Sequence, residues 1–107
     1  MSEPCDGVDE SITQVFAILG KRWTGLILAA LMSGPVRFAE LRRAVPGISE
    51  RMLSDRLVEL ASTGLVLREV AEGPPVAVRY RATEAAAALE PAMRELRDWA
   101  KRHLGPA

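Results

Sequence analysis

The sequence of 107 residues predicts a mainly α-helical fold with one small β-hairpin, which places it in the α+β class. Apolar residues recur every three or four positions through most of the chain, which is the spacing of amphipathic helices. Two β-rich runs on either side of a Gly-Pro-Pro turn, within residues 65–82, predict the hairpin. The length suits one hydrophobic core, so we assign residues 1–107 to a single domain.

The first two predicted helices differ in how much of their surface is apolar. The first, about Val8 to Leu19, has an apolar stripe that Phe16 makes wider than one buried face needs. Contact with a second chain and ordinary burial both account for this width. The second, about Trp23 to Met32, is apolar nearly all round, and such a helix belongs at the centre of a domain.

Two short helices joined by a Pro-Gly turn follow over about residues 38–63. The first, about Phe38 to Val45, ends at Pro46-Gly47. Ser49 is suited to cap the second because its hydroxyl can accept from an unpaired amide of the first turn, and Gly64 is suited to end it. A support helix, a tight turn and a well-capped second helix together predict a helix-turn-helix that reads DNA.

The remainder of the chain predicts a wing and a long final helix. The hairpin of residues 65–82 has a loop too long and too rich in proline for a two-residue turn. A hairpin directly after a reading helix is the wing of a winged helix-turn-helix. Thr83 is suited to cap the last helix, about 84–104, in which Pro91 predicts a kink or a fresh start because it cannot donate a backbone hydrogen bond.

Charge is unevenly distributed along a chain whose formal net charge is zero. Residues 1–19 carry four acidic side chains and no basic one, and residues 82–107 carry four of each. Residues 20–81 carry ten basic against six acidic side chains, a surplus of four positive charges around the helix-turn-helix. This surplus favours double-stranded DNA as the partner, although surface arginines also occur in proteins that bind no nucleic acid.

Several functional classes are disfavoured by the composition. The longest apolar run, Leu26 to Met32, is too short to span a bilayer, and the N-terminus lacks the features of a signal peptide. A lone cysteine cannot form an intrachain disulfide, so we expect a cytoplasmic location and no membrane. One cysteine and one histidine, His103, argue against a zinc site. With no nucleophile elbow and no glycine-rich phosphate loop, we expect neither enzymatic activity nor a cofactor.

Several motifs in this order resemble the HxlR-type winged helix-turn-helix regulators, which sit beside the MarR-type regulators. The resemblance is carried by Gly20-Lys21-Arg22-Trp23-Thr24, the segment from Gly34 to Arg43, the segment from Pro46 to Leu60, Gly64-Leu65-Val66, and Tyr80-Arg81-Ala82-Thr83-Glu84. It covers about Cys5 to Leu104. It implies a homodimeric prokaryotic transcription regulator that dimerises through its first and last helices, about residues 8–19 and 84–104, and binds a pseudo-palindromic operator.

This chain departs from the family pattern at two positions. Lys21 stands where the family often has a second glycine before the second helix, and Ala86 stands where the last helix often has a glycine. Neither position lies in the reading helix. Both leave the angle between the subunits open.

Arg51 is the main candidate for reading a base, because it lies in the first turn of the reading helix and a guanidinium can pair with guanine through two hydrogen bonds. Its alternative role is an ion pair with Asp55 one turn later, and Asp55 can also orient it toward DNA. Ser49 and Ser54 are candidates for phosphate or base contacts, with Ser49 chiefly a cap. Met52 fits the core or a contact with a thymine methyl group.

Other cations flank the reading helix. Arg56 is a candidate for backbone phosphate contacts, as are Arg42 and Arg43, for which a solvated face is the alternative. Lys21, Arg22 and Arg37 precede predicted helices, where they are placed to neutralise phosphate. In the wing, Arg68, Arg79 and Arg81 are the cations, and Arg79 and Arg81 share one face of their strand. Among the wing residues we select Arg79 as a contact that positions the protein on DNA.

Regulation by an oxidant or a small molecule is a further expectation. The resemblance implies that a cysteine at the position of Cys5 can sense thiol-reactive species, although acidic neighbours disfavour the thiolate and an incidental thiol is the alternative. A small apolar effector is a candidate ligand between Phe16, Trp23 and Trp99, which also fit an ordinary core. The rival function is a winged helix that contacts an acidic protein. The polar, cation-bearing outer side of the reading helix favours DNA.

Overall fold

The computed structural model describes residues 7–106, which form six helices and a three-stranded antiparallel sheet. The helices are α1 (Glu10–Leu19), α2 (Thr24–Ala30), α3 (Phe38–Ala44), α4 (Glu50–Ser62), α5 (Glu84–Ala87) and α6 (Glu90–His103). The strands are β1 (Val36–Arg37), β2 (Val66–Ala71) and β3 (Ala77–Ala82). The predicted mainly α-helical fold with a hairpin wing is therefore confirmed. No helix in this part of the chain has the length and apolar character needed to cross a bilayer.

The core lies where α2, α3 and α4 meet the sheet. Its buried apolar side chains come from α2, the helix-turn-helix, β2 and α5: Ile27, Leu28, Leu31, Leu41, Val45, Ile48, Leu53, Leu57, Leu60, Val66 and Ala86. The prediction that the second helix is central is confirmed by Ile27 and Leu28, which are fully buried. One apolar side of this helix is left uncovered, since Leu26 is 58% exposed.

The start of α2 differs from its predicted start. Trp23 is not helical but has a left-handed backbone with φ of 78°, an unusual conformation for a bulky side chain. The helix therefore begins at Thr24, whose side chain is buried. The indole of Trp23 reaches across to Gly47 in the turn between α3 and α4. Packing between distant segments thus determines this helix start.

The helix-turn-helix matches its predicted boundaries closely. Ser49 caps α4, since its Oγ accepts the backbone N–H of Met52 at 3.0 Å. The turn is made by Gly47, with φ of 91°, a conformation that glycine adopts without a steric penalty. After α4, Gly64 has φ of 80° and ends the helix as predicted.

The sheet has the strand order β1–β3–β2. Val36, Tyr80 and Arg68 align across the three strands on the face that packs toward α3 and α4, which we call the inner face. Arg37, Arg79 and Glu69 align across the opposite face, which we call the outer face. The alternation of side chains along each strand fixes these two sets.

The C-terminal helical segment makes the fresh start that Pro91 predicts. The Thr83 hydroxyl accepts the N–H of Ala86 and donates to the carbonyl oxygen of Gly64 at 2.7 Å. The short α5 ends at Ala87, and α6 then begins at Glu90 with Pro91 in its first turn, where a missing N–H costs nothing.

The two helices at the ends of the fold bury little of their apolar surface in one chain. Neither α1 nor α6 contains a buried residue. Phe16 on α1 is 62% exposed and Leu96 on α6 is 60% exposed, and Val8, Trp99 and Leu104 are exposed as well. These helices therefore present apolar surface outward.

Candidate nucleic-acid interface

The outward side of α4 is polar for its first two turns. Leu53 and Leu57 point into the core, which leaves Arg51, Ser54 and Asp55 exposed to solvent. No ion pair forms between Arg51 and Asp55 in this structure, since the ion pairs of residues 7–106 involve other side chains. The side chain of Arg51 is therefore available to a ligand.

Arg51 lies in an open groove between α4 and the inner face of the wing. The residues that line this groove, called the α4–wing groove below, come from α3, α4 and both hairpin strands: Phe38, Glu50, Arg51, Ser54, Arg68, Val78 and Tyr80. Phe38 and Tyr80 line it with aromatic rings whose centroids are 6.4 Å apart. Arg51 and Arg68 bring two guanidinium groups to it against one carboxylate, Glu50.

Arg68, one of the three wing cations named from the sequence, lines the α4–wing groove, whereas the selected Arg79 does not. Arg68 is the Cα partner of Tyr80 and lies two residues after the buried Val66, so it shares the inner face with both. Arg79 lies on the outer face, away from the groove. The alternation of side chains along β2, counted from the apolar Val66, is the sequence signal that places Arg68 on the face of the groove.

Arg37 lies with Arg79 on the outer face of the sheet and not beside the reading helix. It ends β1 and immediately precedes α3, and Glu40 accepts its backbone N–H at 3.1 Å. Its side chain and that of Arg79 leave adjacent strands at directly opposed positions. The structure therefore divides the predicted contact residues into a set at α4 and a set on the outer face of the sheet.

The turn between α3 and α4 is held by Arg42. Its Nη1 lies 3.0 Å from Oε2 of Glu50, and its Nε donates to the carbonyl oxygen of Ile48. Arg43 is exposed beside it. Met52, a candidate for thymine contact, is half-buried and packs against the core, as its alternative interpretation expected.

Arg56 makes contacts within the protein. Its side chain is only 14% exposed, its Nε donates to the carbonyl oxygen of Arg22 at 3.0 Å, and its Nη1 lies 3.3 Å from Glu59 Oε1. It thus ties α4 to the connection between α1 and α2. The guanidinium of Arg22 itself lies 4.4 Å from the ring centroid of Trp23.

Lys21 completes an ion-pair cluster around Glu59. The Lys21 Nζ lies 3.0 Å from Glu59 Oε1, and this hydrogen bond is the main reason that the pKa of Glu59 is lowered, with Arg56 contributing and burial opposing. Glu59 lies ten residues after Ser49, which is about 15 Å along the helix. The cluster is therefore distant from the start of the reading helix.

The candidate regulatory residues are spread over the chain. Trp99 lies in a shallow apolar depression on α6 with Ala92 and Leu96, whereas Trp23 packs at the junction of α1 and α2. Phe16 is exposed on α1. Cys5 lies outside the described residues, and residues 7–106 contain no group of three or more side chains placed to hold a metal ion.

Comparison with known proteins identifies regulators of transcription. The chain is 44% identical over 91 residues to the HTH-type transcriptional regulator YodB of Bacillus subtilis strain 168, covering 85% of this chain and 81% of that protein. The structure of YodB in its reduced form superposes with a TM-score of 0.79 at 40% identity, over 94% of this chain and 99% of the YodB chain. The redox regulator HypR in its oxidised form superposes with a TM-score of 0.79 at 33% identity, over 87% of this chain and 96% of the HypR chain.

A family assignment covers most of the chain. Residues 18–107 match the family described as HxlR-like helix-turn-helix. This match includes the helix-turn-helix, the wing and the last helix. Its relatives are regulators rather than enzymes, which agrees with the expectation that the chain catalyses no reaction. The chain is a transcriptional regulator that belongs to the HxlR-like helix-turn-helix family.

Proposed function

We propose that this regulator is a cytoplasmic homodimer that binds a specific pseudo-palindromic site in double-stranded DNA. The observation that carries the proposal is the α4–wing groove, where Arg51, Ser54 and Arg68 are exposed together beside the polar side of α4. An α-helix fits the major groove of B-DNA, which is about 12 Å wide. A wing beside that helix then lies along the adjacent backbone.

Base recognition falls to the first two turns of α4. Arg51 can donate two hydrogen bonds to a guanine, and Ser54, one turn later on the same side, can contact a neighbouring base or phosphate. Asp55 is close enough along the helix to orient the Arg51 guanidinium once DNA is bound. Ser49 combines its capping role with a position at the helix N-terminus, which favours a phosphate.

The remaining cations divide into contact and support roles. Arg68 extends from the inner face of the wing into the same groove as Arg51, which suits a phosphate of the strand that borders α4. Arg56 and Lys21 hold α4 against the connection between α1 and α2 through Arg22 and Glu59. In this arrangement they position the reading helix, and Arg22 lies at the same junction.

The exposed apolar surfaces of α1 and α6 supply the dimer interface. An apolar surface of this kind on a small domain favours association with another surface of the same character. A second copy is the simplest partner, because a two-fold axis repeats α4 and lets two reading helices reach successive major grooves. Substituting Phe16 or Leu96 by glutamate should give a monomer in sedimentation, and an unchanged dimer would contradict this interface.

Control by thiol-reactive species is part of the proposal. YodB is known in reduced, diamide-treated and quinone-bound forms, and HypR is described as a redox regulator. We assign such a response in this chain to the thiol of Cys5, its only cysteine. Treatment with diamide or a quinone should modify Cys5 and change operator affinity in a gel-shift assay, with Cys5→Ser as the control. Unchanged binding by protein that mass spectrometry shows to be modified would rule this out.

Selection of binding sites from random duplexes is the direct test of DNA recognition. We expect a site with two inverted halves about one helical turn apart. Arg68→Gln should weaken binding to all duplexes, whereas Arg51→Ala should alter the selected sequence at one position of each half-site. A protein that enriches no duplex but binds an acidic protein would instead be the rival protein-contact module.

A further inference from the structure

The outer face of the sheet carries two directly opposed arginines. Arg37 and Arg79 are Cα partners on the antiparallel strands β1 and β3, so their side chains extend side by side from the same face. Like charges in this arrangement destabilise a strand pair. Both side chains are exposed, and within residues 7–106 neither forms an ion pair with a carboxylate.

Nearby carboxylates are bound by other donors. Glu69 is the Cα partner of Arg79 on β2, but its Oε2 accepts from Nε of Arg81 at 2.5 Å. Glu40 accepts the backbone N–H of Arg37, which holds its carboxylate at the start of α3. The outer face therefore has three guanidinium groups against the single carboxylate of Glu69, which within the described chain is paired with Arg81.

The opposed pair lies at the same level of the wing as Arg68. Arg68 is the Cα partner of Tyr80, the residue that follows Arg79 on β3. Arg68 on the inner face and Arg79 on the outer face are thus offset by only one residue along the strands. The wing therefore carries cations on both of its faces at this level.

We propose that Arg37 and Arg79 together bind one backbone phosphate of the DNA that flanks the operator, on the side of the wing away from α4. This inference rests on the proposed function, because it requires duplex DNA along α4. Guanidinium groups bind phosphate through paired, charge-assisted hydrogen bonds. The phosphate charge also removes the repulsion between the two arginines. Such a contact adds affinity and fixes the position of the wing without reading a base.

The test compares two duplexes that contain the selected operator. One ends at the operator boundary, and the other extends by about ten base pairs, one helical turn, on each side. Arg79→Gln and Arg37→Gln should each lower affinity for the extended duplex about three- to tenfold and reduce the slope of log K against log salt by about 0.9 per subunit. Affinity for the short duplex should not change. The double variant should lose little more than either single variant, because both arginines hold one phosphate.

Three further variants separate charge from folding. Arg79→Glu places a carboxylate opposite Arg37, so it should raise the Tm while weakening binding to the extended duplex. Glu69→Gln releases Arg81 and should strengthen that binding. Arg97→Gln removes an exposed cation from α6, a helix of the proposed dimer interface. Once sedimentation shows that its dimer is intact, this variant should leave both duplexes unaffected and serves as the control.

Two results would overturn the assignment. One is an equal loss on the short and extended duplexes, or no loss on either, for Arg79→Gln. The other is an undiminished salt slope for Arg79→Gln on the extended duplex, which would show that no phosphate contact is lost there. Inorganic phosphate that raises the Tm of the wild-type protein but not that of Arg79→Gln would instead support an anion-binding pair. Failure of the wild-type protein to bind any selected duplex would contradict the proposed function itself, whereas normal wild-type binding with unaffected variants contradicts only the phosphate site.

Discussion

Arg56 gives the sharpest test of how the reading helix is positioned. Arg56→Ala removes a side chain that is 14% exposed and deprives the carbonyl oxygen of Arg22 of its hydrogen-bond donor. A hydrogen bond to a charged group contributes about 1.5–3 kcal/mol, whereas the more exposed pair with Glu59 adds little. Because the Arg22 end of this bond is exposed to solvent, water can replace the lost donor, so we expect a loss of about 1–2 kcal/mol, which corresponds to a fall in Tm of about 4–16 °C for a domain of this size.

The assay combines thermal or urea unfolding with DNA binding at several salt concentrations. Arg56→Lys keeps the charge but cannot present a donor where Nε lies, so it should lose most of the same stability. Glu59→Gln leaves the bond to the Arg22 carbonyl in place and should be milder. At temperatures where each variant is folded, the slope of log K against log salt should equal that of the wild-type protein.

An opposite pattern would refute this role for Arg56. If Arg56→Ala kept the wild-type Tm and lowered the salt slope by about 0.9 per subunit, the guanidinium would bind a phosphate in the complex. That result would also show that its bond to the Arg22 carbonyl contributes nothing measurable to folding. The two roles therefore predict different outcomes in two independent measurements.

Three further variants test other parts of the structure. Arg51→Ala should reduce discrimination at one base pair of each half-site by about 1–3 kcal/mol in competition binding, with much less effect on random DNA; equal losses on both would contradict base reading. Ser49→Ala removes the cap that receives the Met52 N–H and should cost about 1 kcal/mol in urea unfolding, and an unchanged midpoint would show that water replaces the cap. Because the folded-state pKa of Glu59 is lowered from 4.5, chiefly by Lys21, its stabilising effect is present above that value and is lost as the pH falls through the lowered pKa. Between about pH 6 and pH 3, Lys21→Met should therefore lose less stability than the wild-type protein, and parallel pH profiles would exclude the pair as a contributor.

The boundaries that depend on short-range chemistry were predictable from the sequence. Ser49, Gly64 and Thr83 each act on backbone groups a few residues away, so their effect is encoded locally. The start of α2 was not predictable in this way. Its left-handed residue, Trp23, is held in place by packing against Gly47, which is 24 positions later in the chain. The exposure of Leu26 was not predictable from the sequence either. When a helix is apolar on all sides, the sequence does not show which side lacks a packing partner within the chain.

The candidate interface shows the same division between local and distant information. That Arg79 and Arg81 share a strand face followed from alternation alone, but which face meets α4 depends on how the sheet packs. The buried Val66 indicates that face, and counting from it selects Arg68 rather than Arg79 for the α4–wing groove. The contact of Arg56 cannot be found by counting along a strand or helix. Its acceptor is the backbone carbonyl oxygen of Arg22, 34 positions away in the sequence. The sequence can therefore identify a polar residue near a reading helix as a candidate for DNA binding. Deciding whether that residue contacts DNA or supports the fold requires the tertiary structure.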